Sequence, residues 1–323
     1  MSSHGEDFVV RTRNLGQSQC FISGLGLGCN NFGWRIDEEQ TREVVDAALA
    51  GGIFFFDTAD VYGDSGKSEE FLGRALGKRR ADVVIATKFG HDSMPMGYDP
   101  ALGAYGGRTY IRFAVEQSLR RLGTDYIDLY QMHSPDTSTP IEETLLALHE
   151  LVVEGKVRYI GNSQFSADQI RAAGEASKEL NVTPFISAQN NFSLLKAEAL
   201  DELLPTAIEY GLGVLPFFPL ASGLLTGKVR RDQAWPTDGR LQDRQASVTA
   251  EQLDVIEALS VWGSEHGRTL LELALGVLAM TRPVSSVIAG ATSVEQVEAN
   301  LAAYEWKPSP AEVAELWSLA LRT

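Results

Sequence analysis

The sequence predicts an α/β chain folded as one (β/α)8 barrel of the TIM type over residues 1–323, and three observations predict it. Eight short apolar runs, at 25–29, 54–57, 83–88, 127–131, 157–163, 186–189, 213–217 and 286–288, alternate with longer helix-like segments in strict order. Most of these runs are continuously apolar rather than alternating, as parallel strands covered on both faces must be. No Pro-, Gly- or Ser-rich linker divides the 323 residues, a length that a single barrel accommodates.

The intervening segments carry helix signals of their own. Asp37 with Gln40 three residues on forms a capping box ahead of 44–50, and Gly51-Gly52 stops that helix. Pro140 with Glu142 and Glu143 opens another on an acidic first turn, and Ser166 precedes the run 168–179. Ahead of the first strand, 14–23 is expected as a hairpin that plugs the bottom of the barrel. The connections 89–109 and 226–247 are long and irregular, and loops after barrel strands are where such folds bind ligands. Residues after 302, Tyr304 and Trp306 among them, either fold over the barrel mouth or pack outside it.

Charge and cysteine usage exclude several classes. With 28 Lys and Arg against 43 Asp and Glu, the net charge is −15, which argues against a nucleic-acid partner. Cys20 and Cys29 form no CxxC and have no clustered His, so neither a disulfide framework nor a metal site is expected. Residues 1–8 are polar, and no run of about 18 apolar residues occurs, so the expectation is a cytoplasmic protein without a membrane partner. The pattern fixes no oligomeric state.

Gly24-Leu25-Gly26-Leu27-Gly28 invites a dinucleotide-binding reading, but G-x-G-x-x-G would need glycine where Cys29 stands, and no helix follows at once. Close packing of the first strand is the better account. The strand ends carry more chemistry. Asp57 ends the second run, with Tyr62 shortly after; Lys88 ends the third; the fourth leads to His133. Polar residues directly after barrel strands project at one rim, the active face of this architecture. Singly, each has a structural explanation: a turn cap, a packing ring, a strand-end charge, a buried imidazole. Together they suit a carbonyl that becomes an alkoxide. Tyr62 supplies the proton, the Lys88–Asp57 pair is expected to bring its pKa down from about 10, and His133 orients the oxygen. The hydride must come from a cofactor, because no side chain supplies one.

These residues sit in longer segments that resemble the aldo-keto reductase family. The segments are Phe55-Phe56-Asp57-Thr58-Ala59-Asp60-Val61-Tyr62-Gly63, Ala86-Thr87-Lys88-Phe89-Gly90, Leu122-Gly123-Thr124-Asp125-Tyr126-Ile127-Asp128-Leu129-Tyr130 leading to His133, and Ile288-Ala289-Gly290-Ala291-Thr292-Ser293 with Asn300. The resemblance implies that Asp57, Tyr62, Lys88 and His133 are a catalytic tetrad. It implies NADPH laid across the barrel mouth and reversible reduction of a small-molecule aldehyde or ketone. For the cofactor it implies Ser163, Gln164 (where the family usually has Asn) and Gln189 at the carboxamide, and Phe217 stacked where a Tyr is usual. Pro219, Leu220, Ser222, Gly223 and Lys228 follow in a small, Gly-bearing loop. Lys228, Arg230, Arg231, Arg240 and Arg244 make that loop locally cationic, as a phosphate site requires. Gly290, Thr292, Ser293 and Gln296 open a helix whose N-terminus, in the family, holds the adenosine 2′-phosphate, Ser293 and Gln296 forming a capping box. Gly290 and Gln296 replace the Lys and Arg of many members, a variant that resembles the bacterial and potassium-channel β-subunit branches, so weaker discrimination against NADH is expected.

Phe32, Trp34, Phe89 and Trp235 are candidate walls of the substrate pocket. Two other functions are compatible with these residues: Schiff-base chemistry on Lys88, against which the expected Asp57 partner counts, and an NADPH-binding sensor or regulatory subunit with slow turnover.

Overall fold

The eight apolar runs form a ring. The computed structural model describes residues 11–231, 233–236, 241–242 and 245–321. A short antiparallel pair, β1 (Thr12–Asn14) and β2 (Phe21–Ser23), precedes eight parallel strands: β3 (Leu25–Gly28), β4 (Phe55–Asp57), β5 (Val84–Phe89), β6 (Ile127–Met132), β7 (Val157–Ser163), β8 (Phe185–Asn191), β9 (Gly213–Phe217) and β10 (Val287–Gly290). Neighbours pair in chain order and β10 pairs with β3. The ring closes through an isolated parallel bridge from Val214 of β9 to Val284, just ahead of β10.

The helices α1 (Glu38–Ala50), α2 (Tyr62–Leu76), α3 (Arg108–Leu122), α4 (Ile141–Val153), α5 (Ala167–Leu180), α6 (Leu203–Glu209), α7 (Ala250–Glu265), α8 (Leu270–Met280), α9 (Val294–Glu305) and α10 (Pro310–Ala320) follow. Among the described residues, no helix is long and apolar enough to cross a membrane. The local signals act as read. Asp37 and Gln40 cap α1 reciprocally, Ser166 and Gln169 do the same for α5, and Gly51 terminates α1. Each box satisfies backbone N–H groups that the first turn leaves without partners.

The hairpin plugs the barrel floor. Leu15, Cys20 and Ile22 pack on Phe55, Ala86, Leu129, Leu215 and Ile288, the inward side chains of five strands. Gly26 is small for a reason visible here: a Cβ on it would lie 2.7 Å from the Phe55 ring. Tyr304 and Trp306 lie buried outside the ring. Trp306 packs on Trp262 and over Gly276, and the Tyr304 hydroxyl lies against Gly24.

Asp128, 2 % exposed, ties three elements. It accepts from Arg80 at 2.7 Å, from Arg158 at 2.8 Å and from the Ile85 amide at 3.0 Å. Asp128→Ala leaves the Arg80 guanidinium, whose side chain is 13 % exposed, without its counter-ion and, among the described residues, with only the Tyr126 and Val83 carbonyls as hydrogen-bond partners. A loss of roughly 2–4 kcal/mol is expected, read as a lower urea midpoint at unchanged m. A shift too small to measure would mean that Arg80 is hydrated in solution.

Register sets the site. Gly28 stands opposite Asp57, Asp57 opposite Ala86, Lys88 opposite Gln131, and Ser163 opposite Gln189. The C-terminal ends of the five consecutive strands β4–β8 therefore present Asp57, Lys88, Gln131, Ser163 and Gln189 at one rim.

Candidate active site

Tyr62 is positioned by backbone that few residues adopt. After β4, Thr58 N–H donates to Ala86 O and Asp60 N–H to Lys88 O, which clamps the chain along β5. Gly63, Asp64, Ser65 and Gly66 then run through φ of 69°, 60°, 64° and 108°. This left-handed turn follows Tyr62 directly, and at Gly63 a Cβ would lie 2.3 Å from Phe32 O. Ser68 donates to Cys29 O at 2.8 Å, fixing the far side of the turn to the loop after β3.

Four side chains converge above β4–β6. Lys88, fully buried, donates to Asp57 Oδ2 at 2.7 Å and to Thr58 O at 2.8 Å, and its Nζ lies 3.5 Å from Tyr62 Oη. Asp57 Oδ1 accepts from Gln189 at 2.7 Å and from Gln131 at 3.3 Å. His133 stands edge-on to the Tyr62 ring at 5.6 Å. Its Nδ1 is buried without a partner among the described residues, so Nε2 is the nitrogen open to the cavity.

Burial lowers the proton affinity of Lys88, but the Asp57 carboxylate and Tyr62 outweigh it and hold Lys88 above its ordinary value. A lysine held protonated is a poor nucleophile, which counts against Schiff-base chemistry. Burial, with Lys88 and His91 adding to it, pushes His133 well below the usual range, so it is a neutral imidazole near pH 7. For Tyr62 the expectation needs correcting. Burial raises it, the Lys88 charge lowers it, and the net direction is up. Desolvation of a phenolate in this pocket exceeds the attraction of a cation that is already neutralised by Asp57.

A cavity of about 1020 Å³ opens over these residues. Asp57, Tyr62 and His133 line it, while Lys88 lies behind them. Ser163, Gln164, Gln189 and Phe217 line it from β7, β8, β9 and their ends, Pro219, Leu220, Ser222, Gly223 and Lys228 from the segment after β9, and Gly290, Thr292, Gln296 and Asn300 from the end of β10 and α9. Ser293 does not line it. It caps α9 by accepting from Gln296 N–H, and the expected reciprocal half of the box is absent, because the Gln296 amide oxygen accepts from Thr292 instead. Two amides are already engaged: Gln189 nitrogen on Asp57, and Gln164 nitrogen on His133 O at 3.0 Å and Ser134 Oγ at 3.2 Å. Their oxygens remain for a ligand.

Other expectations are corrected. Arg230 and Arg231 pair with Glu257 and Asp254 of α7 and do not line the cavity, so those two charges are answered within the protein; Arg240 and Arg244 lie outside the described residues. Of the four candidate walls only Trp34 lines the cavity. Phe32 and Phe89 are core residues at 0 % exposure, and Trp235 donates to Leu241 O at 2.7 Å. Asn30, Asn31, Arg35, Asp64, His91, Met94 and Phe218 line it without having been singled out. Asn30-Asn31 follows an apolar strand just as Asp57 and His133 do, so the same signal was present there. Gln131 carried that signal too, since it ends the run 127–131 as Lys88 ends the run 83–88.

The sequence model described as the Aldo/keto reductase family matches residues 24–320. The chain belongs to that family. It is 35 % identical over 312 residues to a probable voltage-gated potassium channel subunit beta of Arabidopsis thaliana, covering 93 % of this chain and 92 % of the relative. It is 35 % identical over 317 residues to probable aldo-keto reductase 1 of Glycine max, covering 95 % and 88 %. An uncharacterized oxidoreductase of Bacillus subtilis is 36 % identical over 299 residues, covering 90 % of each chain. As a member of the aldo/keto reductase family the protein is an oxidoreductase, and membership implies a nicotinamide cofactor and small carbonyl substrates.

Proposed function

We propose that this aldo/keto reductase reduces an aldehyde or ketone reversibly to an alcohol, with NADPH as its first cofactor, NADH accepted less readily, and Tyr62 as the acid. The observation that carries the reading is Tyr62 Oη in the cavity wall, 3.5 Å from an ammonium fixed on Asp57.

The residues present fit a nicotinamide dinucleotide. The Gln164 and Gln189 oxygens and Ser163 would hold a carboxamide, and the Phe217 ring, which lines the same cavity, would stack on the nicotinamide. Lys228 stands beside the small Ser222-Gly223 segment, where a pyrophosphate needs a cation and close backbone. When bound, the nicotinamide supplies the hydride that a carbonyl carbon needs. Tyr62 then gives its proton to the carbonyl oxygen, and His133, neutral, donates a hydrogen bond to the same atom. Lys88 acts on what remains: at 3.5 Å its attraction for a tyrosinate is roughly 5 kcal/mol at an effective dielectric of about 20. Asp57, held by Gln131 and Gln189, fixes the ammonium in place.

Where the end of β10 and α9 line the cavity, Gly290, Thr292, Gln296 and Asn300 carry no charge. A 2′-phosphate there meets neutral donors only, so NADPH preference over NADH is expected within about tenfold. Gln296→Arg is expected to raise that preference about tenfold further, one charge-assisted contact's worth. The test follows nicotinamide absorbance with an activated aromatic aldehyde and each cofactor in turn. An unchanged ratio in the Gln296→Arg variant would place the phosphate elsewhere.

The likeness to relatives named as potassium channel beta subunits supports a second reading, a nicotinamide-binding sensor with slow turnover. Tight cofactor binding without turnover across a broad carbonyl panel would favour it over the reductase.

A further inference from the structure

His91 adds a second imidazole to the cavity wall beside the tetrad. Its ring stands edge-on to His133 with centroids 4.5 Å apart, and its side chain is 12 % exposed, toward the cavity it lines. The row Tyr62, His133, His91 therefore runs along one wall.

The orientation of the ring follows from its neighbours. Nδ1 receives the backbone N–H groups of Ser93 and Met94, each at 3.2 Å, with Ser93 Oγ at 3.4 Å and Asp92 Oδ1 at 3.2 Å. Two amide donors require a lone pair on Nδ1. The Asp92 carboxylate, 61 % exposed, turns to water at little cost. Burial, with Lys88 adding to it and Asp92 opposing, lowers the proton affinity of His91, in keeping with a neutral ring. A neutral imidazole that accepts at Nδ1 carries its proton on Nε2. That N–H is a fixed donor one ring away from the group that receives the reacting oxygen.

We infer that His91 is a substrate-positioning residue that selects carbonyl compounds bearing a second acceptor oxygen on the adjacent carbon, namely α-hydroxy ketones and α-dicarbonyls. The reacting oxygen sits on Tyr62 and His133, and the neighbouring oxygen accepts from His91. A plain aldehyde or ketone leaves the His91 donor unanswered. The inference rests on the reductase reading of this site and goes further by naming the substrate class.

Three proteins separate the donor from the loop. His91→Asn places an amide where Nδ1 was, keeping an acceptor for the Ser93 and Met94 amides, but removes the distal donor. His91→Gln restores an N–H near the position of Nε2. The measurement is kcat/KM for acetoin and butanedione against butan-2-one and butanal. For His91→Asn a loss of about tenfold or more, mostly in KM, is expected for the oxygenated pair, with the plain pair within about twofold of wild type. His91→Gln is expected to recover at least half of that loss on a logarithmic scale. Equal losses for both pairs, or no loss for either, would overturn the role of His91 while leaving the reductase intact. Wild-type protein that turns over neither pair, nor an activated aldehyde, would overturn the reductase reading and this inference with it.

Discussion

Tyr62→Phe is expected to lower kcat for carbonyl reduction by about 10³–10⁴-fold, with cofactor affinity within about twofold of wild type. The substitution removes one oxygen and leaves the ring, which keeps its edge contact with His133 and its place under the Lys88 ammonium, 4.9 Å from the ring centroid. Lys88 retains its bonds to Asp57 and Thr58 O, so the fold loses about 1 kcal/mol at most. Single-turnover kinetics with preloaded cofactor checks this, and a variant retaining more than about a tenth of wild-type kcat would exclude Tyr62 as the acid. The pH profile follows from the same geometry. Reduction needs Tyr62 protonated, and burial places its proton loss above the ordinary tyrosine range near 10. His133 is neutral because its protonation lies well below the usual histidine range. Neither group titrates between about pH 6 and 8, so reductive kcat is expected to be flat there and to fall only toward alkali. Alcohol oxidation, which needs the tyrosinate, is expected to rise toward alkali. A reductive profile that falls with a midpoint near pH 7 would show that the cation wins over desolvation after all.

Lys88→Met carries the second large effect, on stability and rate together. Asp57 is 3 % exposed and would keep only the Gln131 and Gln189 amides as partners. A buried carboxylate without its cation costs about 3–5 kcal/mol, visible as a lower urea midpoint. The proton transfer also loses its tyrosinate stabilisation, and kcat is expected to drop at least about 100-fold. The double variant Asp57→Asn/Lys88→Met removes both charges and separates the two effects: most of the stability should return while activity stays lost. If the single variant unfolds at the wild-type urea concentration, the pair is not a buried ion pair in solution. If the double variant regains activity, the charge of Lys88 is dispensable.

Much of the architecture was legible without coordinates. The runs read at 157–163 and 213–217 coincide with β7 and β9, and the run read at 286–288 is displaced by a residue or two from β10. Strands buried on both faces must be continuously apolar, and that is a local property of the chain. The caps at Asp37 and Ser166 are local for the same reason, since a side chain three residues from its partner needs no tertiary structure to find it. The failure of the glycine motif was equally readable, because Cys29 stands where the motif needs a glycine; that Gly26 makes room for the Phe55 ring is a tertiary contact. Asp57, Tyr62, Lys88 and His133 could be assigned to one rim because strand ends in a parallel barrel all face the same way.

What the chain alone could not settle were partnerships across the ring and the cost of burial. Gln189 reaches Asp57 across 132 residues, and Gln131 does so across 74, through the order and register of β4, β6 and β8. Arg230 and Arg231 read as part of a cationic loop until α7 brings Glu257 and Asp254 against them. Phe32 and Phe89 look like pocket walls by position, yet both point into the core and Trp34 alone reaches the cavity. His91 was one polar residue in an irregular loop until its amide contacts fixed which nitrogen faces inward. Tyr62 is the clearest case. Sequence placed the Lys88–Asp57 pair near it and pointed to a lowered phenol pKa, whereas the fold added the desolvation that raises it. Residue identity and spacing determine which elements form and which groups meet at the rim; the folded shape determines how far each group is removed from water, and here that decides its proton affinity.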